Sequence, residues 1–253
     1  TSTLSALSGS GTLRIRSGFF PSVTSNTFVN NSASGATVEF YDFTGTLPVS
    51  VNYPNLIFTN TTTTDYIIAF ANTSAYSFTV FGNLTTRVTS TGLLDVVLGT
   101  QASNVINLAI NRNFTIGANT SFRTGAFNAI HNIAVSGNLT NNGNVDLSNG
   151  GQYSASTTGA AHLTFTGATN NIFACNGITA LYTLTLDKGL GSTNILSVTS
   201  TNTLNLAFFS NGKLIDLLAG TLRLGANINI SKLFGSGSPN YDLGSSTHSP
   251  MLW

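Results

Sequence analysis

The sequence predicts an all-β chain, specifically a right-handed parallel β-helix (a β-solenoid) with variable loops, and three observations lead there. Short apolar–polar–apolar stretches recur along all 253 residues, helix-forming residues are scarce, and strand-sized units repeat imperfectly. Alternation with period 2 marks a strand with one buried face. One Glu, three Lys, one Met and two Gln leave little from which to build a solvent-facing helical surface.

In chain order, each expected strand is bounded by residues that suit a corner. Leu13 to Ile15 follows Gly11, Val38 to Phe40 follows Gly35, and Leu56 to Phe58 follows Pro54-Asn55. Phe78 to Phe81 runs into Gly82-Asn83, and Phe114 to Ile116 lies between Asn113 and Gly117. Val145 to Leu147 follows Gly143-Asn144, Leu163 to Phe165 ends before Gly167, and Leu184 to Leu186 ends before Gly189. Leu204 to Leu206 follows Asn202, Leu222 to Leu224 sits between Gly220 and Gly225, and Ile228 to Ile230 follows Asn227. Only Phe127 to Ala134 and Lys213 to Ala219 lean toward helix.

Repeats choose among the all-β architectures. Gly11 to Ile15 (GTLRI) matches Gly220 to Leu224 (GTLRL), and Phe81 to Thr85 (FGNLT) matches Ser136 to Thr140 (SGNLT). A longer echo pairs Val38 to Phe40 and Tyr53 to Phe58 with Leu163 to Phe165 and Tyr182 to Leu186. A parallel solenoid tolerates such imperfect repetition, because each coil must match its neighbour only at the strands. Three strands per coil predict coils of about 24 to 30 residues, about nine to eleven of them, in a body on the order of 45 to 50 Å long. Tandem antiparallel β-sandwich modules are the alternative, weakened by the lack of a linker. The expected organisation is one solenoid segment over residues 1–253.

Composition excludes several function classes. Charged residues are 7% of the chain, where soluble domains average about 25%. Nine Lys plus Arg against eight Asp plus Glu give a net charge of +1, so the electrostatic footprint of nucleic-acid binding is missing. Ser, Thr, Asn and Gly take the place of charge, as in Thr59 to Thr64 (TNTTTT). Neutral polar side chains suit a stack, since like charges repeated every ~4.8 Å would repel. No apolar run approaches the roughly 18 residues of a membrane-spanning helix. The opening TSTLSALSGSG has no initiator Met and no basic n-region, so the expectation is a mature or excised piece of a longer chain.

The stretches GSGTLRIRSGFFPS (Gly9 to Ser22), VEFYDFTG…YPNLIF (from Val38), SGNLTNNGNVDLSNGG (Ser136 to Gly151) and LTFTG…LYTLTLDKG (ending at Gly189) carry a resemblance. Together they resemble the repetitive stalk regions of very long Bacteroidetes surface proteins, similar to the adhesins and gliding-type filaments exported by the type IX secretion system. The resemblance implies an extracellular, cell-surface location and an internal or processed segment, because the end SSTHSPMLW does not look like a sorting domain.

Chemistry-bearing residues are sparse. Glycoside hydrolysis needs two carboxylates facing one bond, and only Glu39 and Asp42 lie close in sequence. Asp65, Asp95, Asp146, Asp187, Asp216 and Asp242 read as solvated turn carboxylates. His131, His162 and His248 are too dispersed for a metal site, and Cys175 reads as a small buried hydrophobe. Asp187-Lys188 reads as a turn ion pair or two solvated charges. Arg14, Arg16 and Arg223 read as outward residues that hydrogen-bond or form salt bridges. About eight Asn-x-Ser/Thr sequons occur, as many as composition alone yields. The expectation is therefore no catalytic, cofactor-binding or metal residues, no cofactor, and a non-catalytic structural or adhesive segment of a secreted filament. Its partners would be neighbouring segments of the same chain, further copies, or surface polysaccharides. The alternative is a carbohydrate-binding or polysaccharide-cleaving β-helix, with Tyr41, Tyr53, Tyr66, Tyr76, Tyr153 and Trp253 as candidate sugar-stacking residues. An ice-binding solenoid is a third class, disfavoured by irregular Thr spacing.

Overall fold

A computed structural model of the chain describes residues 4–29, 31–32, 35–47, 51–71, 73–99, 103–148, 159–201, 204–208, 214–232, 241–242 and 251–252. Among them there is no helix, and every strand pairing is parallel. The chain is a β-solenoid of about seven turns with three faces.

The ten-stranded face stacks Thr12–Ile15, Thr37–Tyr41, Leu56–Asn60, Leu84–Val88, Phe114–Ile116, Leu139–Asn141, Asn171–Cys175, Ile195–Thr199, Thr221–Leu224 and Met251–Leu252. The eight-stranded face stacks Gly45–Leu47, Tyr66–Phe70, Leu94–Leu98, Thr120–Thr124, Asn144–Asp146, Ile178–Leu181, Leu204–Phe208 and Ile228–Lys232. The seven-stranded face stacks Tyr76–Val80, Ile106–Ile110, Ile130–Val135, Ala160–Thr166, Thr183–Asp187, Ile215–Ala219 and Tyr241–Asp242. Leu4–Leu7 and Val23–Asn26 pair separately near the N-terminal end.

All eleven expected strands are present, and both echoes have a spatial meaning. Val38 pairs with Leu56 and Phe40 with Phe58, while Leu163 pairs with Leu184 and Phe165 with Leu186. Each echo is thus a strand and its neighbour on the same face. The matched pentads GTLRI/GTLRL and FGNLT/SGNLT likewise fall on the ten-stranded face.

Three expectations are corrected. The two helix-leaning stretches are strands of the seven-stranded face, Ile130–Val135 and Ile215–Ala219, with Lys213 outside the described residues. In the first, His131, Ile133 and Val135 are buried while Ile130 and Asn132 are exposed, so a polar residue points inward and an apolar one outward. About seven turns replace the expected nine to eleven. Among the described residues the ten-stranded face begins at Thr12–Ile15 and the seven-stranded face only at Tyr76–Val80, and coil length varies: Leu139 pairs with Phe173, 34 positions on, whereas Leu94 pairs with Thr120, 26 positions on.

Inside, each face contributes ladders of like side chains. Phe78, Leu108, Ile133, Leu163, Leu184 and Ile215 follow one another in register, as do Val80, Ile110, Val135, Phe165, Leu186 and Leu217. Phe40, Tyr53, Phe58, Phe70 and Phe78 form an aromatic cluster in the N-terminal part, with Phe70 and Phe78 stacked at 5.0 Å. One continuous apolar core results, and burying it drives the coils together.

Candidate functional site

Glu39 is the centre of a polar network spanning four successive strands of the ten-stranded face. Its Oε2 accepts from Arg14 Nε at 2.8 Å, and its Oε1 accepts from Thr59 Oγ1 at 2.7 Å and Arg87 Nη2 at 2.9 Å. Arg87 Nε also donates to Thr59 Oγ1 at 3.0 Å, and the Arg14 guanidinium lies 4.3 Å from the centre of the Tyr41 ring. Burial raises the Glu39 pKa, but the hydrogen bonds from Thr59, Arg87 and Arg14 outweigh it and leave the carboxyl below its ordinary value. Asp42 is engaged elsewhere: at a left-handed corner (φ 49°) just past the end of the strand Thr37–Tyr41, it accepts from Thr61 N at 2.7 Å and Thr61 Oγ1 at 2.5 Å. Glu39 and Asp42 are therefore tied into separate cross-coil contacts.

The remaining candidates fall as follows. Arg14 forms its salt bridge, Arg16 donates to the Asp42 carbonyl at 3.2 Å, and Arg223 donates to Ser197 Oγ at 2.8 Å. Cys175 is buried in the inner ladder, and burial pushes its thiol up to about 12. His131 is buried, its Nδ1 accepting from Ile106 N at 3.1 Å. Burial lowers its pKa to about 4, offset only in part by the Leu98 backbone. His162 bonds Thr183 at 2.6 Å. Among the described residues no group of His, Cys, Asp and Glu has the makings of a metal site. Tyr53 is core, while Tyr41, Tyr66 and Tyr76 are half-buried. Tyr153, His248 and Trp253 lie outside the described residues.

Lys188 departs from expectation. It is buried, with Nζ donating to Asn171 Oδ1 and to the Thr166 carbonyl, the latter at 3.3 Å, whereas Asp187 is exposed. Burial lowers its pKa to about 8.

A groove of about 500 Å³ runs along the edge where the chain enters the eight-stranded face. Its wall is one column of outward residues in register over five strands, Ile67, Asp95, Ser121, Asn144 and Ile178. Its rim carries Asp65, Leu93, Asn119 and Asn142 from the preceding corners. Five strands make four steps, so the column is about 19 Å long. Gly143 and Gly177 let successive corners of the groove approach closely: a Cβ on Gly177 would lie 1.9 Å from the Gly143 carbonyl oxygen.

Both carboxylates of this groove are engaged. Arg123 clamps Asp95 through Nη2 at 2.6 Å and Nε at 2.9 Å to Oδ2, and Ser121 Oγ donates to Oδ1. Asp65 Oδ1 accepts the Leu93 N–H at 2.8 Å. These contacts orient the acids and leave the amides of Asn119 and Asn144, with the Nδ2 of Asn142, as polar groups for a ligand; Asn142 Oδ1 accepts from Asn176 Nδ2 at 3.0 Å. The groove was not legible in the sequence, because its residues come from five corners separated by irregular loops.

Two further ladders order the surface. At the corner before the ten-stranded face, Asn55 Oδ1 accepts from Asn83 N at 2.9 Å, Asn83 Oδ1 from Asn113 N at 3.1 Å, and Asn113 Oδ1 from Asn138 N at 3.0 Å. On the seven-stranded face, Asn107 Nδ2 donates to Ser77 Oγ and Asn132 Nδ2 to Asn107 Oδ1. No family model, curated protein or solved structure matches this chain.

Proposed function

We propose that this chain is a non-catalytic structural and adhesive segment of a secreted cell-surface filament, working outside the cell as a stiff rod. The observation that carries the reading is the cross-coil bonding. Three continuous parallel sheets, the Asn55–Asn83–Asn113–Asn138 ladder and the Glu39 network all join one coil to the next along the axis. Such bonding suits an element that must keep its length, and neutral outward columns such as Thr85, Thr115 and Thr140 suit stacking and contact without self-repulsion. A non-catalytic role is favoured by the engagement of Glu39, Asp42, Asp65 and Asp95 in structural contacts.

The resemblance to Bacteroidetes stalk proteins of the type IX secretion class supports the same reading and supplies the export route proposed here. Strand edges at a solenoid's ends offer unpaired backbone groups, so the partners proposed are neighbouring segments of one long chain or further copies stacked end to end. Electron microscopy and light scattering of the 253 residues test this. Rods or end-to-end oligomers are expected, and a closed monomer at every concentration would defeat the filament reading. Turnover on a polysaccharide panel, abolished by replacing any two carboxylates, would defeat the non-catalytic part.

A further inference from the structure

The geometry points to the groove along Ile67, Asp95, Ser121, Asn144 and Ile178 as a binding site for an uncharged glycan chain lying parallel to the solenoid axis. The inference deepens the adhesive part of the function proposed above, by giving the contact surface a place and a ligand class.

Shape argues for a polymer. The groove is an open channel of about 500 Å³ that crosses five strands, and its length of about 19 Å matches a run of about four sugar units. Glycans present alternating hydroxyl edges and apolar C–H faces, and the groove offers both in register. Ile67 and Ile178, at opposite ends of the column, are about half exposed, at 46% and 50%, as is rim residue Leu93 at 48%. Between the two isoleucines lie the amide of Asn144 and, on the rim, those of Asn119 and Asn142. Three of the large exposed apolar side chains of the described residues thus gather on one polar channel, which is where surface hydrophobics carry meaning.

Charge and backbone chemistry choose the ligand class. The lining holds Asp65 and Asp95, and the adjoining cation Arg123 is spent on Asp95. An anionic chain would meet the Asp65 carboxylate, whose partner is a backbone N–H, and no Lys or Arg in the lining, so neutral sugars are selected. A peptide added as a strand needs an open sheet edge. The strand Leu94–Leu98, in the middle of the channel, is already paired on both sides, with Tyr66–Phe70 and with Thr120–Thr124. No sheet edge is open there for a peptide strand.

The test is isothermal titration calorimetry of the full chain against tetramers of β-1,4-glucan, β-1,3-glucan, β-1,4-mannan, β-1,4-xylan, α-1,4-glucan and chitin, with tetragalacturonate as the anionic comparison. At least one neutral tetramer should bind. Asn144→Ala and Ile178→Ala should each weaken it about tenfold, and Asn132→Ala on the seven-stranded face should leave it unchanged. Asn144 and Ile178 face outward, and unchanged thermal midpoints will show that those variants fold. Failure of all six neutral tetramers to bind, a Kd indifferent to the groove variants, or a preference for tetragalacturonate would each overturn the site. Rods without glycan binding would remove the groove and leave the filament reading intact, whereas binding by a strictly monomeric chain would do the reverse.

Discussion

Asn83 Oδ1 accepts the backbone N–H of Asn113 at 3.1 Å, so the side chain that starts one strand holds the corner of the next coil. The same contact recurs from Asn55 to Asn83 and from Asn113 to Asn138. Replacing Asn83 or Asn113 by Ala should cost about 1 kcal/mol each, as expected for one net hydrogen bond. Asp, which keeps the acceptor, should cost less than Ala. Urea unfolding of the four variants checks this, and equal losses for Ala and Asp would mean that the acceptor is not what matters.

Glu39 has a folded-state pKa below its unfolded value. The stability it provides is present above the unfolded pKa and is lost as pH falls through the folded one. Thermal midpoints measured downward from pH 5 should therefore fall less steeply for Glu39→Gln than for the parent. Parallel curves would show that the network with Arg14, Thr59 and Arg87 contributes no pH dependence.

His131 and Lys188 should act at opposite ends of the pH range. Burial lowers the folded pKa of His131 to about 4, so the unfolded chain takes up a proton first, and stability should drop between pH 6.5 and 4 by up to about 3 kcal/mol. Lys188, lowered to about 8, should make the protein more stable as pH rises from 8 toward 10.5, by about 1 to 3 kcal/mol. His131→Gln should remove the first slope and Lys188→Met the second. Denaturant midpoints across both windows decide each case separately.

Gly177→Ala should be severely destabilising, by several kcal/mol, because its Cβ would sit 1.9 Å from the Gly143 carbonyl oxygen, a backbone atom that can yield only if the two corners move apart. Gly11→Ala meets nothing within 4 Å and should change stability by less than about 0.5 kcal/mol. Circular dichroism melts of the two variants provide the comparison.

Strands were legible where the inner ladder is apolar, as at Leu163 and Phe165, since alternation then reports burial directly. Thr120–Thr124 escaped because Thr120 and Thr124 point inward with buried hydroxyls, Thr124 Oγ1 donating to the Gly159 carbonyl. Leu139–Asn141 carries Asn141 at an inner position, where it bonds the Ile178 carbonyl. The sequons tell a similar story. Their number follows composition, but Asn83-Leu84-Thr85, Asn113-Phe114-Thr115 and Asn138-Leu139-Thr140 stack in register as corner Asn, core residue and outward Thr. Lys188 was misread because its sequence neighbour Asp187 suggested an ion pair, while its partner Asn171 comes from a different strand.

The parallel ladders have a mechanical consequence. In this stack the backbone hydrogen bonds lie along the long axis, so tension applied at the two ends loads the coils in series rather than together. The outermost coil should yield first and alone, releasing a turn such as the 26 positions between Leu94 and Thr120, or about 90 Å of extended chain. Below that tension the stack keeps its length, and above it the chain would lengthen in discrete increments, one coil at a time.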